Sequence, residues 1–381
     1  MANGHRIAYV IGELDKGGAE YQLHELLRFL DRQEFAPRVL ALSTGGYWAD
    51  AIRALGVPVD ELTRRGSADV ARLVRLRRRL ATFAPHLLHT VLWPANCYGR
   101  LAAVGLSIPV RIAAERNTIV RPWWQVAVER ALDRVTDAYL VNCQAIADVL
   151  RDHEGIPGGK IRVIPNGIDL GRLPPFELER HAARAAYSFD PDRRLVAQVG
   201  RLAPQKDYPT FLAAAAALVA RRADVDFLVV GAGEERPALE DRARRLGLEG
   251  RIRFLGLRHD VPALLRAVDV LALTSTYEGF PNVVVEAMAA GAVAVATDVG
   301  GCRELVVPEQ TGLLVSPRAP AAVAAAVERV LGDDRLARRL ALAARRRVES
   351  EFTVEAMAAR TAAVYRGLLR ANGMSAAVAA A

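Results

Sequence analysis

The sequence predicts an α/β protein of two tandem domains, each a parallel β-sheet covered by helices on both faces. Three observations predict it. Short apolar runs of strand length alternate with amphipathic helical stretches through most of the 381 residues. The rhythm breaks once, between 165 and 192, where turn and breaker residues concentrate. It then restarts, leaving two halves that are each of ordinary domain size.

Taken in order, Arg6-Ile7-Ala8-Tyr9-Val10-Ile11 reads as a buried strand and 18–31 as the helix that follows it. Further strands are expected near 37–42, 57–62, 86–92, 109–114, 138–142 and 161–164, with helices between them. The first domain is therefore set at 1–168 and the linker at 169–192, a segment holding Leu173-Pro174-Pro175-Phe176 and Asp190-Pro191-Asp192. The second domain, 193–353, is expected to hold strands at 194–199, 226–231, 252–255, 268–273 and 293–296. The chain reads as helical from about 319 to 371, and 372–381 as a frayed tail.

Composition bounds the function. Hydrophobic residues make up 52% and charged residues 25%, which excludes a disordered or fibrous chain. No segment approaches 18 uninterrupted apolar residues, and the start lacks a signal-peptide pattern, so a cytoplasmic protein is expected. Cys97, Cys143 and Cys302 are widely spaced and read as small buried hydrophobes rather than metal ligands. The net charge of +8 is spread over both halves. Its sharpest cluster, Arg72, Arg75, Arg77, Arg78 and Arg79, alternates with Leu73, Val74, Leu76 and Leu80. That pattern is a basic amphipathic helix, suited either to solvent or to an anionic membrane surface. No nucleic-acid reading module is visible.

Three loops carry chemistry. In the first, a strand runs into Gly17-Gly18 and then a helix, a place where backbone amides can face an anion or simply make a tight turn. In the second, Gly200 ends a strand, and Arg201 and Lys206 sit on the loop into the next helix as a phosphate clamp. The chain has 48 arginines and only Lys16, Lys160 and Lys206 as lysines, so a lysine in two of these glycine loops stands out. The third loop, Thr274 to Gly291, is the most informative. Glu278 lies in the loop, Pro281 suits a helix start, and Glu286 lies about one turn inside the helix. A diphosphate could rest on the amides of Gly279, Phe280, Pro281, Asn282 and Val283 (Pro281 supplying shape but no N–H). The two carboxylates would then bind hydroxyls or do acid–base work, and Glu286 could also merely complement the helix dipole. No metal site is expected, since no carboxylate cluster of the metal-bridging type is present.

Together these residues resemble the family 4 retaining glycosyltransferases of the two-domain GT-B fold. The resemblance rests on Gly17-Gly18-Ala19-Glu20, Pro165 to Asp169, Gly200 to Asp207, Gly231 to Glu235, Phe254-Leu255-Gly256 and Glu278 to Ala289. It implies a GT-B architecture, α/β with two tandem Rossmann-like domains whose parallel sheets face each other across a cleft. It further implies that helix 354–371 packs back on the first, acceptor-binding domain. By motif position it assigns the donor's diphosphate to Arg201 and Lys206 beside Gly200, the ribose hydroxyls to Glu286 and the transferred sugar to Glu278. The turn around Leu257 would meet the base, and Gly17 and Gly18 would approach the phosphates from the first domain.

One departure stands out. Many family members carry a histidine after the strand corresponding to 109–114, whereas this chain reads Glu115-Arg116-Asn117. Arg116, Asn117 and His89 are therefore the expected sugar or acceptor contacts. The resemblance implies a metal-independent transferase with no cofactor beyond a nucleotide-diphosphate sugar, UDP favoured. The acceptor is expected to be a glycan or lipid-linked glycan of cell-surface polysaccharide or lipopolysaccharide assembly. No nucleic-acid partner is expected, and the membrane contact falls to 70–83. A nucleotide-sugar epimerase of the same architecture and a non-catalytic sugar-nucleotide-binding protein are the alternatives.

Overall fold

Continuous apolar runs can be buried only in a sheet covered on both faces, and the chain builds two of them. A computed structural model describes residues 4–15, 17–64, 69–117, 120–173 and 180–374. It divides into two units, one of Met1–Gly167 with Val354–Ala381 and one of Ile168–Thr353.

The first unit runs β1 (His5–Ile11), α1 (Gly18–Phe29), β2 (Phe35–Ala41), α2 (Tyr47–Ala54), β3 (Val59–Glu61), α3 (Val70–Phe83) and β4 (Leu87–Val91). It continues with α4 (Trp93–Ala103), β5 (Val110–Glu115), α5 (Trp123–Asp133), β6 (Ala138–Val141), α6 (Gln144–Asp148) and β7 (Ile161–Val163). The second unit holds α7 (Arg180–Ala186), β8 (Arg194–Val199), α8 (Tyr208–Val219), β9 (Val225–Val230), α9 (Arg236–Arg245), β10 (Ile252–Gly256) and α10 (Val261–Ala267). It is completed by β11 (Val270–Leu273), α11 (Asn282–Ala290), β12 (Val293–Thr297), α12 (Cys302–Leu305), β13 (Gly312–Val315), α13 (Pro320–Gly332) and α14 (Asp334–Glu351). The last helix, α15 (Val354–Ala371), returns to the first unit.

All pairings in both sheets are parallel. The orders are β3-β2-β1-β4-β5-β6-β7 and β10-β9-β8-β11-β12-β13. In each, the chain winds outward from a central strand to one side and then resumes on the other side of that strand. This leaves a topological switch point between β1 and β4, and another between β8 and β11. Ligands in open α/β sheets bind at the carboxyl ends of such strands.

The apolar residues sort to the sheet faces. In the first unit, Leu23, Leu27 and Ile52 join Met357, Tyr365 and Leu369 of α15 over one face. Leu76 and Leu80 of α3 join Ala95, Ala102 and Ala103 of α4 over the other. In the second unit, Phe211, Leu212, Leu218, Val327 and Leu340 close on Val196, Phe227 and Val295.

Two expectations need correction. Residues 169–192 are not a linker. Asp169 caps a short turn at Leu170–Arg172, and α7 binds the second unit through Arg180 and Arg184, which both pair with Asp269. Residues 174–179 of that stretch lie outside the described residues. The second sheet also has a sixth strand, β13, whose Gly312-Leu313-Leu314-Val315 is too short and plain to stand out as sequence. The helical C-terminal stretch is three helices, interrupted at Asp333 and at Phe352-Thr353. Residues 375–381 of the expected tail, and Lys16, lie outside the described residues.

A buried ion cluster fixes the loop after β5. Arg100 is fully buried and holds Glu129 through both terminal nitrogens, at 2.6 and 2.8 Å. Arg121 reaches Glu115 at 2.5 Å and Glu154 at 2.6 Å. Three carboxyl groups thus share two guanidiniums. Burial, opposed by Arg121, pushes Glu154 up to about 7. In the unfolded chain this group loses its proton near pH 4. A carboxyl whose folded-state pKa is raised stabilises the fold at low pH, and that contribution is lost as pH rises through 7. The melting temperature should therefore fall as pH rises from about 5 to 7 and level off above that, with Glu154→Gln flattening the slope; an equally steep slope in the variant contradicts the assignment.

Candidate functional site

At the switch point of the second sheet, the loops after β8 and β11 leave side by side. Gly200 to Asp207 follows β8, and Thr274 to Pro281 follows β11. The loops are bound to each other along their length. Thr276 donates its backbone N–H to the Gln205 carbonyl at 2.8 Å, and Gln205 Nε2 donates to the Tyr277 carbonyl at 2.9 Å. The Thr274 hydroxyl lies within 3.0 Å of the Lys206 and Asp207 carbonyls, and Gln198 Nε2 donates to the Lys206 carbonyl at 2.7 Å. Asp207, at φ 45°, caps α8 by accepting from Thr210.

This scaffold delivers Lys206 to Glu278. Lys206 Nζ lies 2.5 Å from Glu278 Oε1, and the Ser275 hydroxyl donates to the same oxygen at 2.6 Å. Glu278 is buried and Lys206 half-buried, so the pair is shielded from solvent screening. Glycine is required where backbones meet. Gly231 has φ 142°, and a Cβ there would sit 1.9 Å from the Gly200 carbonyl oxygen. Gly300 has φ 44°, and a Cβ there would sit 1.8 Å from the Glu278 carbonyl oxygen. Loops after four of the six strands therefore converge without side chains between them.

Beside the pair lies a further cation. Arg201 is exposed, and no carboxylate lies within ion-pair distance of it among the described residues. Pro281 is the N-cap of α11 and makes no side-chain cap hydrogen bond, so the helix start can face an anion. Asn282, Val283 and Glu286 form the partly exposed stripe of α11. Phe280 instead buries its ring against Phe352, with centroids 5.9 Å apart, so it can contribute only its backbone. Gly279 is held in place by the Gly301 N–H, which donates to its carbonyl at 2.9 Å. Burial pushes Glu286 up to about 7, with Arg172 opposing the shift. Gly256 ends β10 at φ 68°, and Leu257 after it is 60% exposed.

Taken together, the structure brings Gly200, Arg201, Lys206, Glu278, Gly279 to Val283 and Glu286 to one sheet edge of one unit. Two cations and a helix start suit a diphosphate, and two carboxyl groups suit hydroxyl donors. Thr274, Ser275 and Gln198, which build the scaffold, were not singled out by sequence. Their types are common in loops, and their roles arise only from contacts across about 70 residues.

The first unit holds a second group of residues. Gly17 is the N-cap of α1, with Gly18 its first residue. The Glu20 carboxylate folds back to fill the space over Gly17, where a Cβ would meet Oε2 at 2.1 Å. Burial raises the Glu20 pKa, partly offset by a backbone hydrogen bond and by the charge of Arg116. Gln22 exchanges two hydrogen bonds with the Gly167 backbone, at 2.9 and 3.2 Å. Arg116 follows β5 and donates from Nη1 to Asn166 Oδ1 at 2.5 Å. It has no carboxylate within ion-pair distance among the described residues, and burial lowers its pKa to about 10. Asn117 beside it is exposed. Glu20, Gln22 and Asn166 thus order the loops of this unit, contacts that their motifs contained but that sequence reading left unassigned.

His89 sits in the middle of β4, 3% exposed, with Nδ1 2.5 Å from the Tyr365 hydroxyl. Burial lowers its pKa to about 3, so the ring is neutral. It lines a small pocket of about 20 Å³ with Arg116 and Asn142, which is room for about one water. His89 supports Tyr365 and α15 through Nδ1.

Known proteins resemble the chain over nearly all of it. The family model for glycosyl transferases group 1 matches residues 179–347, and that for glycosyltransferase family 4 matches 16–172. Glycogen synthase of Mycobacterium tuberculosis is 36% identical over 241 residues, covering 63% of this chain and 56% of that protein. The chain thus spans a little over half the length of that relative. D-inositol 3-phosphate glycosyltransferase of Streptomyces avermitilis is 31% identical over 309 residues, covering 75% of this chain and 66% of that protein. Among solved structures, HepE of Anabaena in complex with UDP has a TM-score of 0.85 at 23% identity, covering 95% of this chain and all of that one. WaaG, a glycosyltransferase involved in lipopolysaccharide biosynthesis, has a TM-score of 0.74 at 18% identity, covering 95% and 100%. These likenesses establish the fold as GT-B.

Proposed function

The chain belongs to the group 1 glycosyltransferases of family 4, and we propose that it transfers a sugar from a nucleotide-diphosphate sugar to a hydroxyl of a glycan or lipid-linked acceptor, with retention at the anomeric carbon. The observation that carries this reading is the Lys206–Glu278 pair beside the unpaired Arg201 and the uncapped start of α11. A hydroxylated diphosphate matches that set better than any other common metabolite.

The residues divide the work. Arg201, the free donors of Lys206 and the α11 amides bind the diphosphate and stabilise the charge that develops as it leaves. Glu286 accepts from ribose hydroxyls, and Glu278, anchored by Lys206 and Ser275, accepts from a hydroxyl of the transferred sugar. The backbone beyond Gly256, at Leu257, borders the base. In the transfer, the bond from the anomeric carbon to the phosphate oxygen breaks and a bond to the acceptor oxygen forms on the same face. The acceptor's proton passes to the leaving phosphate, so no protein nucleophile and no metal is needed. UDP is the favoured nucleotide, in keeping with the UDP complex of HepE. Arg116 and Asn117 are the acceptor contacts of the first unit.

The acceptor class we favour is a cell-surface glycan precursor at the inner face of the cytoplasmic membrane, with the protein otherwise cytoplasmic. Among the described residues no helix is long and apolar enough to cross a membrane. A peripheral contact falls to α3, though fewer of its arginines are available than the sequence suggests. Arg72 stacks on Tyr98 and donates to the Leu42 carbonyl, Arg75 pairs with Asp69, and Arg77 donates to the Ala102 and Val104 carbonyls. Arg78 and Arg79 stay exposed, as do Val70 and Val74.

Two outcomes follow. UDP-glucose should bind severalfold more tightly at pH 8 than at pH 6, because the ionised Glu286 accepts from hydroxyl donors more strongly than the neutral acid and burial pushes its pKa up to about 7. Calorimetry on Glu286→Gln should show that pH dependence abolished; a dependence that persists assigns it to another group. Vesicles rich in anionic lipid should retain the protein at low salt and release it as salt rises. Arg78→Gln with Arg79→Gln should weaken retention severalfold, and unchanged cosedimentation removes α3 from the interface.

A further inference from the structure

The chain leading from β5 into α5 turns an apolar tip to solvent. Arg121 points inward, where it stacks 4.5 Å from the Trp93 ring centre and pairs with Glu115 and Glu154. The residues around it face out. Val120 is 59% exposed, Trp123 83% and Trp124 50%, and Pro122 between them is exposed as well. Trp123 and Trp124 open α5, with Pro122 as its N-cap. Among the described residues no large apolar side chain is more exposed than Trp123. Apolar surface gathered in this way marks a contact.

Two observations say what covers it. The first is charge. Arg130 is exposed farther along α5, and Arg134 is exposed at its C-cap. The two acids of α5 are withdrawn, Glu129 buried against Arg100 and Asp133 paired with Lys160. The second is the layer to which α5 belongs. α3, α4 and α5 each follow a strand of one parallel sheet, so all three begin at its carboxyl edge. α4 lies between the others, packing on Leu76 and Leu80 of α3 and holding Glu129 of α5 through Arg100. The start of α3 repeats the pattern of α5, with Val70 and Val74 exposed and Arg78 and Arg79 exposed behind them.

Apolar groups at the edge with arginines behind match a lipid leaflet, where indole rings sit at the headgroup boundary and guanidiniums meet phosphates. A soluble glycan fits less well. It needs hydrogen-bonding side chains beside the stacking ring, and the one polar side chain between Val120 and Trp124 is the inward Arg121. We propose that the carboxyl end of the α3–α4–α5 layer is a membrane-docking face, on which Val120, Trp123 and Trp124 enter an anionic leaflet. This goes beyond an electrostatic contact of α3, because the tip binds by apolar insertion. It also orients the unit. Arg116 and Asn117 leave β5 on the same stretch of chain, so docking carries them to headgroup level. An acceptor sugar carried on a lipid is therefore favoured over one free in solution. That last step rests on the glycosyltransferase reading; the docking face does not.

Tryptophan fluorescence and cosedimentation with phosphatidylglycerol vesicles, plain or brominated on the acyl chains, test the face. In the wild type, emission should shift to the blue and be quenched by the brominated chains. Trp123→Gln with Trp124→Gln should weaken vesicle binding about tenfold and abolish the quenching, although the half-buried Trp48 and Trp93 remain. An unchanged melting temperature reports that this variant folds. Arg78→Gln with Arg79→Gln should bind more weakly yet still be quenched once bound. Absence of quenching in the wild type, or binding and quenching unchanged in the tryptophan variant, overturns the face. Emission that responds to maltoheptaose and not to vesicles also overturns it, and assigns the tip to a glycan. Vesicle docking without UDP binding would leave the face standing and fell the nucleotide reading, and with it the acceptor step.

Discussion

The ion pair between Lys206 and Glu278 is the contact on which the second unit's site depends. It joins the loops after β8 and β11 at the point where the sheet changes winding direction. Glu278 is almost fully desolvated, so removing the lysine would leave a buried carboxylate that keeps the Ser275 hydroxyl but loses this counter-charge. The surrounding hydrogen bonds from Thr274, Thr276, Gln198 and Gln205 hold the two loops so that this distance stays short. The same tie sets Glu278 where α11 begins, which places an acid, a cation and a helix start within one small region. On the proposed transfer, such preorganisation would let fixed dipoles rather than mobile water meet the charge of a leaving diphosphate.

Much of this was legible in the residues themselves. Glycine before Arg201 and Lys206, and Pro281 between Glu278 and Glu286, are local signals, because turn chemistry and helix starts depend on near neighbours. Seven strands of the first sheet and five of the second stood out as apolar runs. The sixth, Gly312–Val315, did not, since four residues at a sheet edge carry little periodicity. The breaker-rich 169–192 misled for a related reason. Prolines and aspartates mark turns, but they do not reveal that Arg180 and Arg184 will both bind Asp269, some 85 residues later.

The first unit shows the same boundary. Gly17-Gly18 was visible as a helix start, yet the occupant of that start, the side chain of Glu20, emerges only from packing. Asn166 and Gly167 sit in a conspicuous turn, but their partners Arg116 and Gln22 lie 50 and 145 residues away. His89 reads in sequence either as a cleft contact or as a structural histidine; the Tyr365 hydroxyl, 276 residues on, supplies the structural partner that sequence does not show. The chain's many arginines follow suit. Most are spent on carbonyls and carboxylates; Arg116 and Arg201, without an acid partner among the described residues, are informative because each lies on a loop that follows a strand.

The central claim is that the carboxyl edge of the second sheet holds a nucleotide diphosphate through Lys206. Its most direct test is a calorimetric panel of UDP, GDP and ADP, run in EDTA, on the wild type and Lys206→Ala. The account predicts saturable 1:1 binding of one nucleotide, UDP, unaffected by EDTA and at least a hundredfold weaker in the variant. Absence of binding by all three, or equal binding in Lys206→Ala, would contradict it.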